Sequence, residues 1–102
     1  MDTPYDEPVR IPIGPELDLH TFAPGELGVV LPAYLEACVE RGLSEVRVIH
    51  GKGTGALRNS VLTMLTRSPW VLSYRQADPV AGGWGATLVR LDLRRRKVKD
   101  AG

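Results

Sequence analysis

The chain has a single cysteine and no long apolar run, and each of these absences excludes a class of protein. Cys38 alone allows neither an internal disulfide nor a cysteine metal cluster, and its place on the apolar face of a helical pattern predicts a small core residue. No apolar run reaches the length of a membrane span, and the acidic, proline-containing N-terminus lacks an apolar signal region. We therefore expect a cytoplasmic protein with no membrane contact.

The chain also lacks a strong net charge, but its charges are unevenly placed. It has 102 residues, a formal charge of +1, 43% hydrophobic and 25% charged residues, which is typical of one folded domain. Acidic residues and prolines dominate the start, and five bases lie between Arg94 and Lys99. We predict an extended N-terminal arm over residues 1–15, a domain over 16–93 and a basic C-terminal tail over 94–102. The tail is equally consistent with polyanion binding and with simple solvation.

The apolar pattern predicts an α/β domain with the element order β-α-β-α-β-β. Residues 17–20, 45–50, 71–77 and 86–93 read as strands. Residues 24–41 read as a helix with a bend or break at Pro32, and Gly42 is well placed as the residue that ends this helix. A second helix carries the stripe Leu57, Val61, Met64 and Leu65. Right-handed crossovers make the first three strands parallel, and the short last connection makes the fourth antiparallel to the third. We expect a two-layer fold, with a mixed four-stranded sheet and two main helices on one face.

A glycine-rich turn between the second strand and the second helix is typical of an anion site. Glycines let backbone N–H groups converge, and a helix N-terminus adds unpaired donors and partial positive charge. The predicted phosphate-binding residues are Gly51, Lys52, Gly53, Thr54, Gly55 and Arg58. A Walker A loop is excluded because Lys52 lies between the glycines, and the match to a dinucleotide pattern is weak.

The two histidines of the chain, His20 and His50, each end a predicted parallel strand. Open α/β sheets bind ligands at that edge, so both imidazoles and the glycine turn are expected there if the two strands are neighbours. Asp18 shares a strand face with His20, and a carboxylate at this position orients an imidazole for acid–base work. Each histidine taken singly is more typical of a residue that caps a loop, whereas the pair beside a phosphate-binding turn favours a functional role.

Three blocks of the sequence resemble the small MutS-related (Smr) domain family. They are Leu-Asp-Leu-His at 17–20, His-Gly-Lys-Gly-Thr-Gly-Ala-Leu-Arg at 50–58 and Gly-Gly-Trp-Gly-Ala-Thr-Leu-Val at 82–89. The resemblance implies a βαβαββ fold similar to the C-terminal domain of bacterial translation initiation factor three. It also implies a nuclease that nicks DNA or cleaves RNA, with Asp18 and His20 as the catalytic pair and residues 50–53 as substrate contacts. The family usually has glycine after the first-block histidine, where this chain has Thr21.

The function that the resemblance implies for these residues is that of an endonuclease, a hydrolase of phosphodiester bonds. Its catalytic residues are Asp18, His20 and His50, and its partner is nucleic acid, DNA or RNA. No metal site is predicted, although assistance by a divalent cation such as Mg²⁺ stays open. Trp84 is a candidate for base stacking or for loop packing, and Arg75 and Arg90 are candidates for a backbone-binding track or for ordinary solvated positions. The alternatives are a nucleic-acid-binding module without catalysis and a small nucleotide- or protein-binding domain.

Overall fold

A computed structural model of the chain describes residues 11, 13–51, 55–77 and 85–97. These residues form four strands, two α-helices and short 3₁₀ turns. The main elements are β1 (Glu16–Asp18), α1 (Leu27–Glu40), β2 (Glu45–Ile49), α2 (Ala56–Arg67), β3 (Val71–Gln76) and β4 (Ala86–Leu91). The 3₁₀ turns are Leu19–Thr21, Pro24–Glu26 and Leu93–Arg95. The predicted element order is confirmed.

The sheet is mixed, and its strand order is β1-β2-β4-β3. β1 pairs with β2 in parallel, whereas β4 is antiparallel to both β2 and β3. β1, β2 and β3 therefore run in one direction, as the crossovers predict, and β4 is antiparallel to β3 as expected. The sequence did not indicate that the last strand lies between β2 and β3.

Both helices pack on the same face of the sheet, which makes the domain two-layered as predicted. Inward-facing Leu17, Val48 and Val89 share one core cluster with apolar residues of the two helices. From α1 the buried residues are Leu27, Val30, Leu31, Tyr34, Leu35, Cys38 and Val39, and from α2 they are Val61 and Leu65. Burial also raises the pKa of the Cys38 thiol, in keeping with its predicted place in the core.

α1 is one helix that continues through Pro32, rather than two short helices in tandem. Its C-terminus forms a Schellman motif in which Gly42, at a φ of 79°, adopts the left-handed conformation. The N–H of Gly42 donates to the carbonyl of Val39 at 3.0 Å, and the N–H of Leu43 donates to the carbonyl of Cys38 at 3.0 Å. The predicted role of Gly42 as the residue that ends the helix is confirmed.

The N-terminal segment packs against the domain within the residues that the structure describes. Ile11 and Ile13 contact the core, and the hydroxyl of Tyr34 donates a hydrogen bond to the carbonyl of Gly14. The carbonyl of Pro15 accepts from the N–H of Arg47 at 2.7 Å. Contacts with the core therefore begin before the predicted domain boundary at residue 16.

The first residues of the predicted basic tail are also attached to the domain. Arg94 and Arg95 belong to a 3₁₀ turn, and the Lys97 ammonium lies 3.4 Å from the Glu36 carboxylate. The N–H of Lys97 donates to the carboxylate of Glu40 at 2.7 Å. This end of the chain therefore lies against α1 instead of extending from the domain. In the described parts of the chain, no helix has the length and hydropathy needed to cross a membrane.

Candidate functional site

The carboxyl ends of β1 and β2 bring the Asp18–His20 pair and the glycine turn together. β1 ends at Asp18, so His20 belongs to the 3₁₀ turn Leu19–Thr21 and not to the predicted strand. Asp18 caps this turn, because its Oδ1 accepts the N–H of His20 at 2.9 Å. The pair is close as predicted, but a capped turn joins the two residues where a strand face was expected.

The imidazole of His20 is held by the same carboxylate oxygen. Nδ1 of His20 lies 2.9 Å from Oδ1 of Asp18, and because a carboxylate accepts, Nδ1 donates. In the neutral ring this leaves Nε2 with a free lone pair. His20 is exposed over 60% of its side chain, so the ring is accessible to a large substrate.

Nε2 of His20 faces the backbone of Gly51, the first residue after His50. A methyl group placed on Gly51 would lie 2.6 Å from Nε2 and 2.9 Å from Cε1 of His20. The backbone of Gly51 has a φ of 82°, a conformation that favours glycine. Glycine is therefore required here twice, by the turn and by the imidazole beside it. The family that the sequence resembles usually has glycine at position 21. Here Thr21 occupies it, and its hydroxyl donates to the carbonyl of Asp18 at 3.1 Å.

His50 is buried, with 3% of its surface exposed. Nδ1 of His50 donates to the carbonyl of Gly51 at 3.0 Å, which leaves Nε2 to accept the hydroxyl proton of Thr87 at 2.9 Å in the neutral ring. Both ring nitrogens are occupied by neighbours within the domain. This geometry differs from the prediction that His50 exchanges protons with substrate, because no ring nitrogen faces solvent.

Backbone hydrogen bonds join the glycine turn to Gly85, the residue directly before β4. The N–H groups of His50 and Gly51 both donate to the carbonyl of Gly85, at 2.8 and 2.9 Å. The N–H of Gly51, predicted as a phosphate donor, is thus already committed. Gly85 and Thr87 thus hold the turn and His50 in place, and the only sign of this in the sequence is that both belong to the third block.

The structure describes only some of the other predicted site residues. Gly55, at a φ of 94°, is the residue before α2, and half-buried Arg58 lies in the first turn of that helix. Gly55 is four residues after Gly51, so the start of α2 lies within ~14 Å of it. Lys52, Gly53, Thr54 and Trp84 lie outside the described residues. In the ranges that are described, no three His, Cys, Asp or Glu side chains form a group able to hold a metal ion.

Fold and site together define a class of protein: a two-layer α/β domain that presents an exposed Asp–His pair against a glycine turn. The family model described as "Smr domain" matches residues 17–100. The chain belongs to the Smr domain family.

Solved structures and curated proteins agree with this assignment. The Smr domain of Thermus thermophilus MutS2 superposes with a TM-score of 0.71 at 40% identity, covering 76% of this chain and 96% of that chain. YdaL, a stand-alone small MutS-related protein from Escherichia coli, superposes with a TM-score of 0.70 at 30% identity, covering 81% of this chain and 65% of that one. Endonuclease MutS2 of Lactobacillus gasseri is 46% identical over 76 residues, and that of Clostridium tetani is 45% identical over 76 residues. The chain spans only 10% of the length of these two proteins.

Proposed function

We propose that this domain cleaves nucleic-acid phosphodiester bonds, with His20 as the acid–base residue. The observation that carries the proposal is the exposed imidazole of His20, whose Nδ1 lies 2.9 Å from Asp18 and whose Nε2 faces the glycine turn. Kinship with proteins named Endonuclease MutS2 supports the choice of reaction. An Asp–His pair with a free Nε2 is the arrangement that general base catalysis needs.

The reaction transfers a proton to Nε2 while a new bond to phosphorus forms. On RNA, Nε2 takes the proton of a 2′-hydroxyl, whose oxygen attacks the phosphorus as the bond to the leaving 5′-oxygen breaks. On DNA, water is the nucleophile, and its oxygen bonds to phosphorus as one ester bond breaks. In both cases the leaving oxygen takes up a proton from water, and the imidazolium later returns its proton to water. Asp18 keeps the ring in the productive tautomer and stabilises the imidazolium that forms.

The phosphate is held, in this proposal, by the turn that follows His50 and by the start of α2. The N-terminal turn of a helix provides unpaired N–H groups, and Arg58 adds a full positive charge. We assign Lys52 and the glycines 53 and 55 to the same task, as their residue types suggest. His50 acts as a positioning residue, because its hydrogen bonds to Gly51 and Thr87 join the turn to β4.

The test is cleavage of supercoiled plasmid and of structured RNA, each with and without EDTA, by the full chain and by two variants. We expect His20→Ala to lower the cleavage rate by about 10²–10⁴-fold while leaving binding intact, because it removes proton transfer only. Asp18→Asn should lower the rate less and also spare binding. The EDTA arm reports whether a divalent cation assists.

Two results would contradict the proposal. If wild-type protein shifts both nucleic acids on a gel and cuts neither, the domain is a binding module without catalysis. If His20→Ala weakens binding as much as it slows cleavage, the imidazole contacts substrate without transferring a proton. Circular dichroism of each variant guards against loss of fold as the cause.

A further inference from the structure

The face of the sheet turned away from the helices is uncovered in the part of the chain that the structure describes. We call this surface the open face, and it includes Asp18, Ile49, Arg75, Leu88 and Arg90. Register places them together, because Arg75 is opposite Leu88 on the neighbouring strand, and Arg90 is two residues along the same face. Asp18 is opposite Ile49, so the catalytic pair stands at the border of this surface.

The open face carries two arginines, Arg75 on β3 and Arg90 on β4. Arg75 and Arg90 are exposed, and neither forms an ion pair with any residue in the described ranges. They lie diagonally on neighbouring strands, about 7–8 Å apart, so they place two positive charges on the same patch of the sheet. Arg47, on the same face, is by contrast neutralised by Glu16 at 3.1 Å. The unpaired arginines make β3 and β4 the basic half of the open face.

The distance between these arginines and the catalytic pair fits a short stretch of nucleic-acid strand. β1 and β3 are the two edges of the sheet, so three strand spacings of about 4.8 Å separate Asp18 from Arg75 laterally, or ~14 Å. A strand advances about 3.4 Å per nucleotide when its bases are stacked and farther when they are splayed out, so this distance spans at most roughly four nucleotides. Half-buried Ile49 and Leu88 lie between the two ends and offer apolar surface.

We propose that the open face binds the single-stranded segment next to the phosphate at which His20 assists cleavage. Arg75 and Arg90 contact its phosphates, and Ile49 and Leu88 pack against sugars and bases. A single strand fits better than a duplex, because the bases of a duplex are stacked and cannot reach a shallow apolar surface. The inference rests on the proposed function, since it names the part of the substrate that flanks the cleaved bond.

One acidic residue allows a variant whose expected effect on binding is the opposite of that of the arginine variants. Glu45 is exposed and stands opposite Arg90 in the register, although the two are not within ion-pair distance. A carboxylate at this position repels a phosphate chain. Glu45→Gln should therefore tighten binding of a single strand, whereas removal of the arginines should weaken it.

The experiment measures binding of labelled 12-nucleotide single strands of DNA and RNA, and of the matching duplexes, by fluorescence anisotropy over a range of salt. We expect the Arg75→Ala/Arg90→Ala variant to bind single strands more weakly and to lose about 1.4 from the slope of log K against log salt, at about 0.7 per phosphate. Arg41→Ala/Arg67→Ala removes two exposed arginines from the helix layer and is the matched control, for which we expect no change. Comparison of the DNA and RNA single strands shows which of the two nucleic acids this surface binds.

Three outcomes would overturn the inference. They are an unchanged salt slope in the Arg75/Arg90 variant, an equal loss in the control variant, and an effect seen only with duplexes. These outcomes differ from failure of the proposed function, which would appear as wild-type protein that cuts neither plasmid nor RNA. If the Arg75→Ala/Arg90→Ala variant cuts nucleic acid at the normal rate and keeps its affinity, binding by the open face is refuted and the proposed function is not.

Discussion

Asp18 has two tasks at the scale of single residues. Its Oδ1 accepts both the N–H and the Nδ1–H of His20, each at 2.9 Å, so one atom ends the strand and orients the imidazole. Gly51 completes the arrangement by having no side chain where His20 needs space. His50, which looked equivalent to His20 in the sequence, is buried and hydrogen-bonded on both nitrogens. The two histidines therefore differ in their surroundings: the ring of His20 is exposed, and the ring of His50 is enclosed by the domain.

Gly51→Ala tests this arrangement at the residue scale. The added methyl would lie 2.6 Å from Nε2 of His20 and must displace the ring, so we expect the cleavage rate to fall by ~10²-fold. The left-handed backbone should also cost about 1–2 kcal/mol of stability. Gly42→Ala is the matched control, because Gly42 has a similar φ of 79° but ends α1 far along the chain from Asp18 and His20. Equal activity losses in the two variants would mean that stability, and not the position of His20, explains the effect.

At the scale of elements, two strands end in the same way. β1 ends in Asp18 and β4 is followed by Asp92, and each aspartate caps a 3₁₀ turn by accepting the N–H of the residue two positions on. In the first turn that residue is His20, and in the second it is Arg94, which also donates from Nε at 2.9 Å. A short turn of this kind points the second side chain back at the carboxylate. The first copy of the motif forms the candidate site, and the second attaches residues 94–97 to the domain.

The second copy predicts a pH dependence of stability. Hydrogen bonds from Arg94 hold the pKa of Asp92 below its ordinary value, so Asp92 stabilises the fold above the pKa of the unfolded chain, about 3.9. This contribution is lost as the pH falls through the lower folded-state pKa. Asp92→Asn should therefore be less stable than wild type at pH 7, with a gap that closes below about pH 4.

Urea unfolding of both proteins between pH 7 and pH 2.5 measures this gap. Glu45→Gln is the control, because Glu45 has no ion pair among the described residues and its removal should leave stability almost unchanged. A gap between wild type and Asp92→Asn that stays constant at every pH would contradict the assignment.

At the scale of the whole molecule, the last strand completes both the sheet and the site. β4 lies between β2 and β3, so β3 is paired only with β4 in the described chain. Val89 and Leu91 of β4 belong to the core, and Thr87 holds His50. Three blocks that are distant in the sequence thus meet only when the C-terminal part of the chain is in place.

Truncation tests this dependence. A chain that ends at Gly85 lacks the strand between β2 and β3, and we expect it to show no cooperative thermal transition by circular dichroism. A chain that ends at Lys97 keeps every contact that the structure describes and should unfold cooperatively. Cooperative unfolding of the shorter chain would show that β1, β2 and the helices form a stable unit without β4.

Local patterns in the sequence determined the element order, the buried stripes of both helices, the role of Gly42 and the closeness of Asp18 and His20. These features depend on residues a few positions apart, so periodicity and turn chemistry suffice to predict them. Only the tertiary structure decided that β4 lies inside the sheet and that His50 is buried. The same is true of the hydrogen bond that the N–H of Gly51 donates to the carbonyl of Gly85. It also decided that Arg75 and Arg90 share a face with Asp18. Each of these depends on a partner far away in the chain, and no local pattern specifies which distant strand provides it.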